Sequence, residues 1–219
     1  MKHTNSILGQ GVYTAADASK ILRIPYPKAK YWFKYYAKNK LHDSIGHQYY
    51  FEVKDIVAVN FFTLIEMYVF FSLKEKGIKT SKIMKAHKSM ANHLKTPYPF
   101  AQKDIYVNNL KLLFGDETLL LSADEKLQSV IAGILLPFCD KVQFTNQKLA
   151  HKYYPLGQNK AVVVTPDNQF GQPIIEGTNI LTATIYAFHK GGESIDSISR
   201  LYDISPENVR DAIEYHIAA

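Results

Sequence analysis

Cysteine is nearly missing from this chain: Cys139 is the single thiol, with no partner for an internal disulfide or for a cysteine-rich zinc site. A disulfide-stapled scaffold is excluded, and a reducing compartment, the cytoplasm, is expected. Low-complexity runs are absent too. With 47% hydrophobic and 21% charged residues, the composition is that of a globular protein rather than a disordered one. Residues 1–10 hold one lysine and no apolar core of the kind a secretion signal needs. The one long apolar run, Ile56 to Leu73, is nearly the length of a membrane helix, but Glu66 would sit near the bilayer centre and Asn60 would add to the cost. No membrane span is expected.

Acidic residues are scarce in the first half only. Residues 1–110 hold 17 Lys and Arg against 7 Asp and Glu, a balance of +10, whereas residues 111–219 hold 9 against 13, a balance of −4. A basic half suggests a polyanionic partner, of which nucleic acid is the commonest. At 219 residues the chain has room for one large domain or for several small ones. Three are expected, over residues 1–95, 96–165 and 166–219.

Tyr13-Thr14-Ala15-Ala16-Asp17 reads as a helix start. The Thr14 hydroxyl can accept a backbone N–H, and Asp17 three residues on complements the positive helix end, a cap contributing about 1 kcal/mol. Ala18, Ile21 and Leu22 share one side, and Arg23-Ile24-Pro25-Tyr26-Pro27 ends the helix. A second helix is expected from Lys28 to about Lys38, with Pro27 at its first position. At roughly 100° per residue, Ala29, Trp32, Phe33 and Tyr36 fall on one face and Lys30, Tyr31, Lys34 and Lys38 on the other. Lysines that can reach phosphates or guanine acceptors, with a tyrosine beside them, are what a recognition helix needs. A merely solvated lysine face is the plain alternative. Leu41 to Phe51, two short polar-apolar stretches around Gly46, reads as a β-wing. Candidate DNA contacts are therefore Thr14, Lys28, Lys30, Tyr31, Lys34, Lys38 and His47.

These residues resemble the MerR-type winged helix-turn-helix: a Tyr-Thr start at Tyr13-Thr14, an aromatic second helix around Trp32, and a wing ending in Tyr50-Phe51 before Asp55. The chain departs from that pattern at Lys30, where MerR-like helices often carry an arginine two residues before the tryptophan. Lysine cannot make the same planar bidentate contact.

The run from Ile56 to Leu73 is expected to be one helix, apolar on most faces and buried in its own domain and against a second copy, giving a homodimer. Lys74-Glu75-Lys76-Gly77 ends it. Thr80 or Ser81 then caps a helix through His93 bearing Lys79, Lys82, Lys85 and Lys88, and Thr96-Pro97-Tyr98-Pro99-Phe100 reads as an interdomain joint. A small α+β connector follows, with a hairpin over 110–121, a helix from Ala123 to Leu136, and strands at 141–144 and 161–165.

Three helical stretches close the chain: Thr182 to His189, Ile195 to Tyr202, and Glu207 to His216 after a Ser205-Pro206 start. They outline a second helix-turn-helix. Its last helix carries Glu207, Asp211 and Glu214 against Arg210, a surface that repels phosphate. The fold class expected is mainly α with small β elements.

Phe170-Gly171-Gln172-Pro173-Ile174-Ile175-Glu176-Gly177-Thr178, with Gly192-Glu193-Ser194-Ile195 and Leu201-Tyr202-Asp203-Ile204-Ser205, resembles the short carboxyl-terminal domain of unknown function found in predicted VapB-type antitoxins. The Tyr98-Pro99-Phe100-Ala101 joint and Leu149 to Gly157 are similar to longer members that carry an amino-terminal MerR-like domain. The resemblance implies an antitoxin that represses its own operator on double-stranded DNA and neutralises a PIN-like ribonuclease toxin; the charge division between the halves then suggests that the acidic end, through Glu207, Asp211 and Glu214, faces that toxin.

No catalytic constellation is evident. Asp116-Glu117 and Asp124-Glu125 fit capping or solvation, His42 and His47 lack a third metal ligand, Cys139 has only Lys141 near it in sequence, and Gly171 and Gly177 lack a phosphate-binding register. No enzymatic activity, cofactor or metal is expected. The rival readings are a ligand-sensing MerR-like regulator with a small-molecule site in the central domain, and an interaction module without a DNA role.

Overall fold

The computed structural model describes residues 10–41, 46–53, 56–102 and 140–217. The hairpin expected over 110–121, the helix Ala123 to Leu136, the acidic pairs, His42 and Cys139 lie outside them. The described chain is mainly helical with three small antiparallel sheets.

Helix α1, Ala15–Leu22, begins as the capping rule requires. Thr14 Oγ1 accepts from the Asp17 N–H at 3.2 Å while Asp17 Oδ2 accepts from the Thr14 N–H at 2.9 Å. It ends at Arg23, whose φ of 56° is left-handed. Helix α2, Tyr26–Trp32, starts two residues earlier than the sequence predicts. Pro25 is its N-cap and Pro27 its second residue, because both prolines can occupy a first turn that has no N–H to satisfy. Beyond Trp32 the helix continues as a π-helix, Phe33–Lys40, ending where the Leu41 N–H donates to the Tyr36 carbonyl five residues back.

The apolar run divides at Asn60. Ile56–Val59 is strand β3, not helix: it is the centre of a sheet between β1, Tyr13–Thr14, and β2, Phe51–Val53. β-branched Ile56, Val57 and Val59 suit a strand. The Asn60 side chain accepts from the Thr63 N–H at 2.9 Å and starts α3, Phe61–Glu75. The pairing hairpin thus spans residues 51–59, and residues 47–50 form no strand. Helix α4, Thr80–Leu94, has Lys79 at its N-cap, without a side-chain cap, rather than Thr80 or Ser81.

Helix α3 buries Phe61, Leu64, Ile65, Met67, Val69, Phe70 and Leu73 within this chain. One apolar cluster joins these residues to Tyr13, Trp32 and Phe33 and also to Val142, Ala150, Tyr153 and Val164. The last four belong to or flank strands β4, Val142–Phe144, β5, Ala150–Tyr153, and β6, Val162–Val163; β4 pairs with β5, and β6 with β7, Ile174–Ile175. No strand is expected from the sequence at β5, whose Ala-His-Lys-Tyr does not alternate apolar with polar, or at β7, two isoleucines between a proline and a glycine turn.

Helices α5, Thr182–Lys190, α6, Ile195–Tyr202, and α7, Pro206–Ile217, enclose a second cluster of Ile185, Ile198, Ile204, Val209, Ala212 and Ile213. The α6–α7 turn repeats the α1–α2 turn 180 positions later. In each, a serine hydroxyl donates to an isoleucine carbonyl, Ser19 to Ile24 at 2.7 Å and Ser199 to Ile204 at 2.6 Å. Each turn also has a left-handed residue, Arg23 or Asp203, before that isoleucine.

The amino-terminal strand is stitched to the 169–171 turn. The Val12 N–H donates to the Phe170 carbonyl at 2.9 Å, and the fully buried Tyr13 ring covers Gly171. Gly171 has φ +84°, and a Cβ there would lie 2.1 Å from the Tyr13 hydroxyl. Gly171→Ala should therefore lower the unfolding free energy by more than about 2 kcal/mol, from overpacking and backbone strain together. Gly177→Ala, at φ +78° with open space around it, carries the strain alone and should cost about half as much. Urea denaturation of the two variants checks the difference.

Candidate nucleic-acid interface

The outward face of α2 and its π-helical continuation carries Lys28, Lys30, Tyr31, Lys34 and Tyr35 exposed, while Ala29, Trp32, Phe33 and Ala37 are buried behind it. Packing of the back fixes the front: Trp32 lies edge-on to Phe70 at 6.2 Å, and Tyr36 meets the same ring at 4.8 Å. Helix α3 is in turn set against α4 and the 3₁₀ turn Pro99–Ala101 by Glu66. That carboxylate is 1% exposed, accepts from the backbone N–H of Phe100 at 2.8 Å and of Ala101 at 3.3 Å, and lies 3.1 Å from His87 Nε2. Burial raises its pKa above the ordinary carboxylate value, opposed by the His87 imidazole and the two N–H donors.

Three of the expected contacts sit differently from the expectation of free front-facing groups. Lys38 turns toward the sheet, where its ammonium pairs with Glu52 and lies 5.7 Å from the Tyr50 ring centre. The hairpin strand that carries Glu52 folds beside the end of the helix and takes this ammonium out of the lysine face. His47 packs edge-on between Tyr49 and Tyr98 and lies 2.9 Å from the Tyr98 hydroxyl. The Thr14 hydroxyl serves the α1 cap and bonds Asp17 Oδ2 at 2.7 Å. Conversely, Tyr26 and Tyr35 stand exposed beside the lysines though the sequence reading named only Tyr31. Tyr35 could have been found as the i+4 neighbour of Tyr31. On α4, Lys79, Lys82 and Lys88 are exposed as well.

The acidic end is less uniform than its sequence. Asp211 is 4% exposed and is a tertiary tie, accepting from Lys160 Nζ at 2.8 Å and from the Ala161 N–H at 2.9 Å. Glu214 is exposed but shares Lys160 at 3.0 Å, and Glu207 pairs with Arg210 on the surface at 3.2 Å. The two hydrogen-bonded acids hold the Lys160 ammonium above the ordinary lysine range. A separate open cleft of about 560 Å³ is bordered by His151, Lys152, Asp167, Asn168, Glu176 and Asn179. Inside it, Glu176 accepts from Lys152 at 2.8 Å and from the Tyr154 hydroxyl at 2.7 Å. The Thr165 hydroxyl holds Asp167 below the ordinary carboxylate range against the opposing effect of its partial burial. Among the described residues, no group of three His, Cys, Asp or Glu could hold a metal ion, and no helix is long and apolar enough to cross a membrane.

Asp211→Ala should lower the stability of the α5–α7 unit by about 2 kcal/mol, since it removes a buried carboxylate, leaves the part-buried Ala161 N–H without its acceptor and leaves Lys160 to Glu214 alone. Glu207→Ala should stay within about 0.5 kcal/mol. Chemical denaturation of both variants distinguishes a structural acid from a solvated one.

Residues 162–216 match a family model described as a protein of unknown function, DUF433. Over 229 aligned residues the chain is 20% identical to a Mycobacterium tuberculosis protein named "Putative antitoxin VapB45", covering 93% of this chain and 92% of that relative. The crystal structure of Rv2018 from Mycobacterium tuberculosis has the same fold, with a TM-score of 0.72 at 17% identity over 92% of this chain and 96% of that one. The chain is thus similar in sequence, over most of both lengths, to a protein named a putative antitoxin, shares the fold of Rv2018, and in its last quarter matches DUF433.

Proposed function

We propose that this protein is a nucleic-acid-binding antitoxin without catalytic activity, in which residues 1–95 grip DNA, residues 96–165 connect, and residues 166–219 meet a toxin. The observation that carries the reading is the end-to-end similarity to a protein named as an antitoxin, combined with a free lysine face on α2. On this reading α1, α2 and the β2–β3 hairpin act as a MerR-like winged helix-turn-helix on the protein's own operator. Lys28, Lys30 and Lys34 then neutralise phosphates, while Lys38, Thr14 and His47 support the scaffold. The helix that suggested a homodimer is covered by its own chain on most faces, so dimerisation on a palindromic operator rests on the DNA-binding analogy.

The toxin, a PIN-like ribonuclease on this reading, is a protein with a basic RNA-binding groove. The exposed acids of the carboxyl-terminal unit, Glu207 and Glu214 with Asp203 and Glu193, complement such a groove. Asp211 holds the unit in shape. The cytoplasm is where both the operator and such a toxin are found. A ligand-sensing regulator is the second reading; the cleft lined by His151, Lys152, Asp167 and Glu176 is open and polar, unlike the mostly apolar pocket such a site favours, and so gives it less support than the lysine face gives the first.

In a mobility-shift or anisotropy titration with the protein's own upstream DNA, Lys28→Ala/Lys30→Ala/Lys34→Ala should weaken binding. It should also flatten the plot of log K against log salt by about 0.9 per lost contact. Lys38→Ala should leave the slope nearly unchanged. An unaltered slope in the triple variant rejects the assignment of this face. Co-expression with the protein encoded by the adjacent reading frame should yield a stable complex if the antitoxin reading holds; a neighbour that does not co-purify favours the sensor.

A further inference from the structure

Phosphate neutralisation accounts for the lysines of α2 but not for the tyrosines among them. Tyr26, Tyr31 and Tyr35 are 48%, 52% and 47% exposed, whereas Trp32 and Phe33 of the same helix are buried. Three large rings left half in water contribute little to the core. Tyr31 and Tyr35 are also mutually ordered, with centroids 4.8 Å apart and planes inclined by 18°. The Tyr36 ring braces Tyr31 edge-on at 6.1 Å and is itself seated on Phe70, so the pair is tied to the core below it. The stack ends in the stretch where α-helical winding gives way to π-helical winding, a change of period often found at functional positions.

A B-form duplex offers base edges in its grooves, while its base faces are covered by their neighbours. A stacked tyrosine pair is of most use to a ring that has left such a stack. Lysine is depleted from the centres of protein–protein interfaces, and this face has Lys28, Lys30 and Lys34 among its tyrosines. Cationic groups around aromatic faces are instead the arrangement of surfaces that bind unpaired nucleotides.

We propose that the Tyr31–Tyr35 pair is a stacking platform for an unpaired base, so that the ligand of this face is a single-stranded or locally opened stretch of nucleic acid with its phosphates on Lys28, Lys30 and Lys34. The proposal rests on the nucleic-acid reading above and changes it in one respect: the α2 face meets an unpaired stretch rather than the groove of a closed duplex. The lysines supply charge and salt dependence, and the tyrosines select for exposed base faces. DNA and RNA share this chemistry and differ only at the 2′-hydroxyl.

The test is fluorescence anisotropy of the full chain with labelled oligothymidine, oligouridine and a mixed-sequence duplex of equal length, across a salt series. The intact protein should bind single strands more tightly than the duplex. Tyr31→Leu/Tyr35→Leu should lose roughly 5- to 150-fold on single strands for each base stacked, with an unchanged salt slope and less than about twofold effect on the duplex. Tyr31→Phe/Tyr35→Phe should keep the wild-type affinity. Lys30→Ala/Lys34→Ala should weaken both ligands and flatten the slope by about 0.7 per contact on single strands. Tighter binding of oligouridine marks RNA as the ligand, and of oligothymidine DNA; either supports the platform.

The platform is overturned if the leucine variant binds single strands as the wild type does, or loses equally on single strands and duplex; the lysine effect would then leave the nucleic-acid reading standing. Failure of the intact protein to bind any of the three at low salt overturns both. Because the substituted side chains are half exposed, a far-ultraviolet circular dichroism spectrum matching the wild type is expected for every variant.

Discussion

A single carboxylate inside the helical core organises the elements behind the lysine-bearing face of α2. Glu66 projects from the middle of α3, takes the backbone N–H groups of Phe100 and Ala101, and stands against His87 of α4. A buried carboxylate is tolerated only where donors repay its lost hydration. The 99–101 turn and α4 are therefore held where α3 needs them. With α3 placed, Phe70 is a fixed floor for Trp32 and Tyr36, and the outer face of α2 follows from the inner one. The same glutamate that makes the apolar run unsuitable for a membrane is the group that orders it in water.

The two ends of the chain use one local solution for opposite surfaces. A hydroxyl N-cap, a left-handed residue and a serine-to-isoleucine hydrogen bond form the turn in both places. What the second helix then presents differs. After the first turn come exposed lysines and tyrosines; after the second come Glu207 and Glu214, already balanced in part by Arg210 and Lys160. Turn geometry thus sets the angle of the helices, and side-chain charge sets the kind of surface they can meet.

Much of the helical framework was legible because its signals are local. Thr14 and Asp17 mark the start of α1, Ser194 and Asp203 bound α6, and Ser205 with Pro206 opens α7. Errors fell where the deciding contact is distant. Ile56–Val59 looks helical in a long apolar run, yet it pairs with Tyr13–Thr14 and Phe51–Val53. Asp211 looks like one more surface acid, yet it reaches back to Lys160 and Ala161, about fifty residues away in sequence.

The sequence by itself determined the charge division between the halves, the caps and stops of most helices, and the alternation of lysine with aromatic residues on α2, since each depends on neighbours within a turn or two. Only the tertiary structure decided which of those lysines stay free. Lys38 is drawn to Glu52 by the hairpin that folds beside it, while Lys28, Lys30 and Lys34 remain in solvent next to a stacked tyrosine pair. The difference is physical: a period along one helix places side chains around its own axis, but an ion pair with a strand depends on where the rest of the chain has come to lie.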